Sequence, residues 1–179
     1  MPYSLDAARI LAEPLVSAFF RHCEGDWRSE RRYYTLKNGE AQEVVSYISI
    51  RFLEAGSADL HHLEMLHQLS ANTLVCGAQV TWESNYVKAG QSKKPVDGST
   101  LFGVKGSVLY RDRGFATDKP VTANFFFRDP RTMVLKTSYG DSRFEEEIKL
   151  IGDRTRTRQT IISRAGEELM IGQYLEQRC

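Results

Sequence analysis

Apolar residues follow one spacing at the start of the chain and another through the rest. Over Leu5–Cys23 the positions Leu5, Ile10, Leu11, Leu15, Val16, Phe19 and Phe20 approximate the repeat of a helix. Pro14 lies inside this stretch, and its missing N–H and bulky ring predict a kink or two short helices. Gly25 and Asp26 end the element. Trp27–Leu36, rich in aromatics, and Glu43–Phe52, rich in β-branched residues, then read as two strands joined at the Lys37-Asn38-Gly39 turn. Ser57–Leu69 predicts a short second helix, with Leu60, Leu63 and Leu66 three residues apart and Met65 beside them.

From Thr73 onward strands dominate. Thr73–Tyr86, Leu101–Tyr110, Val121–Phe127, Met133–Ser138, Phe144–Leu150, Thr155–Ser163 and Glu168–Gln177 follow one another. Asp129-Pro130, Gly140-Asp141, Gly152-Asp153 and Ala165-Gly166 mark turns between the later ones. Roughly nine strands at this spacing predict an antiparallel meander, closed into a barrel or folded as a sandwich. The polar interruption Ala89–Ser99 predicts a mobile loop near a rim. No repeat, linker or low-complexity tract interrupts the pattern, so one domain over residues 1–179 is expected.

Composition narrows the function classes. A net charge of +1 argues against nucleic-acid binding driven by a bulk electrostatic field. No apolar run approaches the roughly 18–20 residues that span a bilayer. Met1–Asp6 lacks the basic and apolar regions of a signal peptide, so a soluble, intracellular protein without a membrane partner is expected. Cys23, Cys76 and Cys179 are odd in number and lack metal-ligand spacing, which argues against a disulfide framework. His61, His62 and His67 have no acidic or sulfur partner at a standard interval, and no metal is expected. His22 and Cys23 are adjacent and point about 100° apart on a helix, so they make no nucleophilic pair. Gly-x-Ser-x-Gly, phosphate-loop, dinucleotide and His-Glu-x-x-His motifs are all absent.

The candidate chemistry lies in charged and aromatic residues at strand positions. Arg154, Arg156 and Arg158 project from one face of a strand, because strand side chains alternate. Facing a cavity, they would fork carboxylates or phosphates bidentately. Facing water, they would leave Thr155, Thr157 and Ile161 to cover the core. Trp27, Ser29, Arg31 and Tyr33 share one face of the first strand, and Trp82 lies between Val80 and Ser84 on its own. Glu146 precedes Arg156 across the Gly152-Asp153 turn, which predicts that the two meet on adjacent strands. Tyr174 and Glu176 share a face of the last strand. Such a set suits a large, flat, conjugated ligand with acidic arms.

Phe19-Phe20 followed by Gly25-Asp26-Trp27-Arg28-Ser29-Glu30-Arg31 and Leu36 resembles the opening of the S/U-type phycobiliprotein lyases (CpcS/CpeS/CpeU). That opening is a Phe-Phe pair, then Gly-x-Trp-x-Ser-x-Arg and a short run to a leucine. Val80-Thr81-Trp82-Glu83 is similar to the family's Val-Ser-Trp-Glu. Glu146 followed by Arg156-Thr157-Arg158-Gln159-Thr160 resembles its Arg-x-Arg-Thr-Ser strand. The departures are Thr157 where a leucine is common, Gln159 for a threonine and Thr160 for a serine, of which the last keeps a hydroxyl. Tyr174-Leu175-Glu176-Gln177-Arg178 is similar to the closing segment, where a Glu shortly precedes an Arg.

The resemblance implies an all-β fold, a lipocalin-like (calycin) antiparallel barrel of about nine to ten strands with an N-terminal helix and a short second helix. It implies a phycobilin as substrate, phycocyanobilin or phycoerythrobilin, with no permanent cofactor. The bilin would be delivered to a cysteine of an apo-phycobiliprotein α or β subunit. Arg156, Arg158 and Arg31 would clamp propionates, Trp27 and Trp82 would pack on pyrrole rings, and Ser29 and Thr160 would complete the binding set. Glu146 and Glu176 would face the pyrrole nitrogens and favour the protonated chromophore, making its ethylidene carbon more electrophilic toward the acceptor thiolate. A homodimer, or a heterodimer with a related lyase subunit, is in keeping with the family, as is the cytoplasm of a cyanobacterium or the plastid stroma of an alga. The alternatives are a calycin-type carrier of a bilin, haem or fatty acid, and one subunit of a heterodimeric lyase.

Overall fold

The computed structural model describes residues 5–87 and 94–179. A helix α1 (Leu5–Cys23) leads into strands β1 (Gly25–Thr35) and β2 (Ala41–Glu54), and a second helix α2 (Ala58–Leu66) follows. Eight more strands come next: β3 (Cys76–Val87), β4 (Val96–Lys105), β5 (Val108–Arg111), β6 (Val121–Asp129), β7 (Thr132–Tyr139), β8 (Ser142–Ile151), β9 (Thr155–Arg164) and β10 (Glu167–Arg178). Each strand pairs antiparallel with its neighbour in sequence, and β1 closes on β10, so the meander is a barrel and not a sandwich.

Where the sequence reads a single strand over Leu101–Tyr110, the chain forms a hairpin. Lys105 pairs with Val108 across a two-residue turn, and Gly106 takes a φ of 60°, a conformation that costs glycine little. The polar stretch expected as a loop over Ala89–Ser99 is strand from Val96 onward, and its residues 89–93 lie outside those described. Helix α2 is shorter than expected. Ser57 caps its start by accepting the Leu60 N–H, and Gln68 turns to a φ of 55° just past its end.

Of the kink or two short helices that Pro14 predicted, the second does not occur: α1 is one helix through Pro14. Its second half docks most closely. Val16, Phe19, Phe20 and Cys23 recur at the helical spacing and are buried, whereas Ile10 and Leu11 are exposed. The buried stripe joins Ile48, Ile50, Val104, Leu109 and Met133 in the main core, closing one end of the barrel. The Glu13 carboxylate ties the helix to that end by accepting the Gly106 N–H at 2.8 Å. Helix α2 lies on the outside, where Leu60 and Leu63 pack with Leu53, Leu74 and Leu101. Beneath it, buried Glu64 accepts the backbone N–H groups of Leu74 at 2.9 Å and Asn72 at 3.2 Å. Burial acts to raise its pKa, but these bonds and His61 together hold it below the usual carboxylate value.

Arg178 joins the C-terminal end of α1 to the last strand. Its Nη1 and Nη2 donate to the carbonyls of Glu24 and His22, and its Nε donates to Asp153 O. A cation on the free carbonyls of a helix C-terminus is favoured by their partial negative charge. Substituting Arg178→Ala is expected to cost about 1–3 kcal/mol, since three donated bonds are lost together. Urea denaturation followed by tryptophan fluorescence checks this, and an unchanged midpoint would remove Arg178 from the role.

Candidate functional site

Antiparallel register aligns the inward side chains of neighbouring strands into rungs. Three polar rungs cross the wall made by β1, β10, β9 and β8. Nearest α1, Ser29 stands opposite Glu176, and Glu176 opposite Arg156. The next rung holds Arg31, Tyr174 and Arg158, and the third holds Tyr33, Gly172, Thr160 and Glu146. A Cβ on Gly172 would come within 2.7 Å of the Tyr174 hydroxyl oxygen, so the glycine makes room for that ring.

Inside the barrel is a cavity of about 850 Å³. Phe19, Phe20 and Cys23 of α1 form its floor, and Ile48, Ile50, Leu109 and Met133 its apolar side. Arg31, Glu146, Arg156, Arg158 and Tyr174 supply a charged side. Away from α1, Arg113, Phe115 and Asp118 of the β5–β6 connection line it together with Asp97. A volume of this size, apolar on one flank with a few polar groups converging on the other, is that of a small-molecule site.

The charged groups on the wall largely hold one another. Glu176 is 0 % exposed and accepts from Arg156 Nε and, at 3.1 Å, from the Ser29 hydroxyl. Arg158 Nη1 lies 3.6 Å from the same carboxylate. Burial pushes the Glu176 pKa up, but Arg156 and Arg158 outweigh it and keep the group below the usual carboxylate range. Arg158 Nη2 also donates to Glu146 Oε1 at 3.1 Å. Burial alone would lower the Arg158 pKa, and Glu176 and Glu146 together raise it instead. Glu176 and Arg158 are therefore both ionised.

Two of the three arginines in the run face inward. Arg154 precedes β9 and is exposed, with Nη2 donating to Arg178 O at 3.4 Å. The expected meeting of Glu146 with Arg156 does not occur. The tight β8–β9 turn pairs Ile151 with Thr155, which sets Glu146 opposite Thr160 and Arg156 opposite Leu150. The diagonal neighbour Arg158 takes Glu146, and Arg156 turns to Glu176.

The remaining sequence candidates divide into two layers. Arg31, Trp82 and Thr160 line the cavity with Glu146, Arg156 and Arg158. Arg31 Nε donates to Ser29 Oγ at 3.2 Å, and its guanidinium lies 5.3 Å from the Tyr174 ring centre. Gly98 lies across from Trp82, where a Cβ would come within 2.5 Å of the indole. Trp27, Ser29 and Glu176 stand behind the lining. Trp27 is 1 % exposed, donates its indole N–H to Cys23 O at 2.8 Å, and carries Arg156 at 5.0 Å and Arg178 at 4.3 Å from its ring centre.

Several lining residues escaped the sequence reading, among them Arg111, Arg113, Phe115, Asp118 and Asp97. Arg111 is buried on β5 and reaches the cavity, with Nη1 3.9 Å from Glu146 Oε2. The signal for it was the turn at Gly106, which opens a new strand and resets its alternation. Among the histidines, His61 Nδ1 pairs with Glu64 and His67 Nε2 with Arg111 O, so both serve local packing. Cys23 and Cys76 are buried free thiols, and burial pushes Cys76 up to about 12.

A family model described as "CpeS-like protein" matches residues 16–179. A protein from a Nostoc species, "Putative phycocyanobilin lyase CpcS 2", is 55% identical over 95% of this chain and 94% of its own length. A second from a Picosynechococcus species, "Putative chromophore lyase CpcV", is 49% identical over 90% of this chain and 80% of its own. Among solved structures, the S-type phycobiliprotein lyase CPES from Guillardia theta superposes with a TM-score of 0.77 at 22% identity, over 92% of each chain. That likeness bears on the fold alone.

Removing the Glu176 charge at constant size, with Glu176→Gln, leaves Arg156 buried without its counter-ion. The expected loss is about 3–5 kcal/mol of stability at neutral pH. A native pKa below the ordinary value near 4.5 makes the carboxylate's contribution present above that pH and lost as pH falls through the native value. The variant should therefore also show a flatter acid limb. Urea midpoints measured from pH 7 down to pH 3 check both, and superimposable curves for the two proteins would contradict them.

Proposed function

The chain belongs to the CpeS-like family, and on that premise we propose that it is a phycobilin lyase. It binds an open-chain tetrapyrrole inside the barrel and attaches it through a thioether to a cysteine of an apo-phycobiliprotein subunit. Close relatives named as phycocyanobilin and chromophore lyases support this reading. The observation that carries it is the cavity of about 850 Å³ whose apolar side faces a wall of paired arginines and carboxylates. A bilin has the matching form, a flat apolar body with two propionates.

In this reading Trp82 packs on a pyrrole ring, and Arg31 and Arg158, on either side of Tyr174 in one rung, receive a propionate. Glu146 faces the pyrrole nitrogens, where its negative charge favours the protonated, more electrophilic chromophore. Glu176 acts from behind by holding Arg156 and Arg158 in place, with Ser29 and Trp27 as its support. The attacking thiolate belongs to the acceptor subunit, so the protein's share is positioning and polarisation. Its relatives come from cyanobacteria, and the cytoplasm of such a cell, or an algal plastid stroma, is where acceptor and bilin meet.

An absorbance titration with phycocyanobilin and phycoerythrobilin, followed by addition of an apo-phycobiliprotein subunit, tests the proposal. A red-shifted complex that then loses its chromophore covalently to the subunit is the expected result, and the better ligand identifies the substrate. Binding without transfer would point instead to a carrier or to half of a heterodimeric lyase. Glu146→Gln should bind the bilin with little loss and lack the red shift, and a wild-type spectrum in that variant would remove Glu146 from its role.

A further inference from the structure

We infer that Arg111 is a second carboxylate-binding group of the cavity, holding one acidic arm of the ligand while Arg31 and Arg158 hold the other. The inference rests on the bilin reading above and adds a residue to it. Two of the wall's cations are already engaged by carboxylates. Arg156 donates to Glu176, and Arg158 lies against both Glu146 and Glu176. Arg111 differs from them. Among the described residues its Nε is buried without a hydrogen-bond partner, as is that of Arg158, but Arg158 has carboxylate oxygens at 3.1 and 3.6 Å, whereas the Glu146 oxygen beside Arg111 stands off at 3.9 Å. That carboxylate already accepts the shorter bond from Arg158.

Leaving a buried guanidinium donor unsatisfied is costly, and such groups in folded proteins commonly await a ligand. Arg111 is 7 % exposed and lines the cavity, so an anion entering the barrel meets it directly. Besides that long contact with Glu146, aromatic rings hold the residue in place. Its Cζ lies 4.9 Å from the centre of the Phe102 ring and 4.7 Å from that of Phe115. Phe115 is stacked in turn on Phe144, at 4.9 Å between ring centres, and Phe144 on Tyr139 at 5.1 Å. Aromatic faces attract the cation and fix its plane while leaving its N–H edge free for a planar acceptor. A carboxylate fits that edge bidentately. Burial disfavours the charged form of Arg111 and lowers its pKa, an unfavourable balance that a bound anion would correct.

Esterification separates this role from a structural one. The probes are phycocyanobilin and its dimethyl ester, titrated by absorbance against wild-type protein, Arg111→Gln and Arg111→Lys. Arg111→Gln is expected to weaken binding of the free acid about tenfold or more, and of the diester by no more than about twofold. Arg111→Lys, which keeps the charge but not the fork, should recover part of the loss for the acid. Equal losses for acid and ester in both variants would mean that Arg111 only shapes the cavity, and would overturn the inference. Should Arg111→Gln fail to fold, the same comparison on Arg111→Lys decides: a larger loss for the acid supports the inference and an equal one overturns it. Wild-type protein that binds neither probe would overturn the bilin reading itself, a result visible before any variant is measured.

Discussion

The carboxylate of Glu176 is the interaction on which the rest of the site depends. A barrel interior is normally filled by apolar side chains, and two guanidiniums placed there repel each other across a poorly screening medium. Glu176 makes the placement possible by accepting from Arg156 and lying beside Arg158. Ser29 meets one of its remaining lone pairs, and Trp27 covers Arg156 from the far side. A buried pair of this kind adds little net stability over an apolar packing of the same volume. Its value is in direction, because it leaves the charged edge of Arg158 turned toward Glu146 and the cavity.

The fold was largely legible because the strands are long and their turns carry strong signals. Gly140-Asp141, Gly152-Asp153 and Ala165-Gly166 each sit at a hairpin, with Gly140, Gly152 and Ala165 at positive φ. The errors have local causes. Gly106-Ser107 lies inside an apolar run that reads as continuous, so a turn there was invisible to periodicity. Ile10 and Leu11 fit the helical repeat but lie beyond the part of α1 that reaches the barrel, and periodicity alone does not say how far a docking surface extends.

The site was legible residue by residue and less so in its pairings. Arg156, Arg158, Glu146 and Thr160 all line the cavity, as the alternation of β9 and β8 implied. Which acid meets which base depends on register, and one hairpin turn moved Glu146 from Arg156 to Arg158. Trp27 and Glu176 lay on the expected faces but one layer deeper, a distinction in depth that a period of two does not encode. Arg111 was lost because its strand was not separated from the one before. Arg178 could be placed only once the end of β10 was seen to run beneath the end of α1.

The floor of the cavity carries a thiol. Cys23 is 3 % exposed, and burial pushes its pKa upward even though Arg156 and Arg178 pull the other way. A neutral thiol is a poor nucleophile compared with a thiolate. A ligand that is activated to react with thiolates would thus rest beside a sulfur that stays inert, and the protein would escape labelling itself. Discrimination between its own cysteine and that of an acceptor then needs no steric barrier. The difference in solvation between a closed floor and an open, hydrated thiol on another protein works in the same direction.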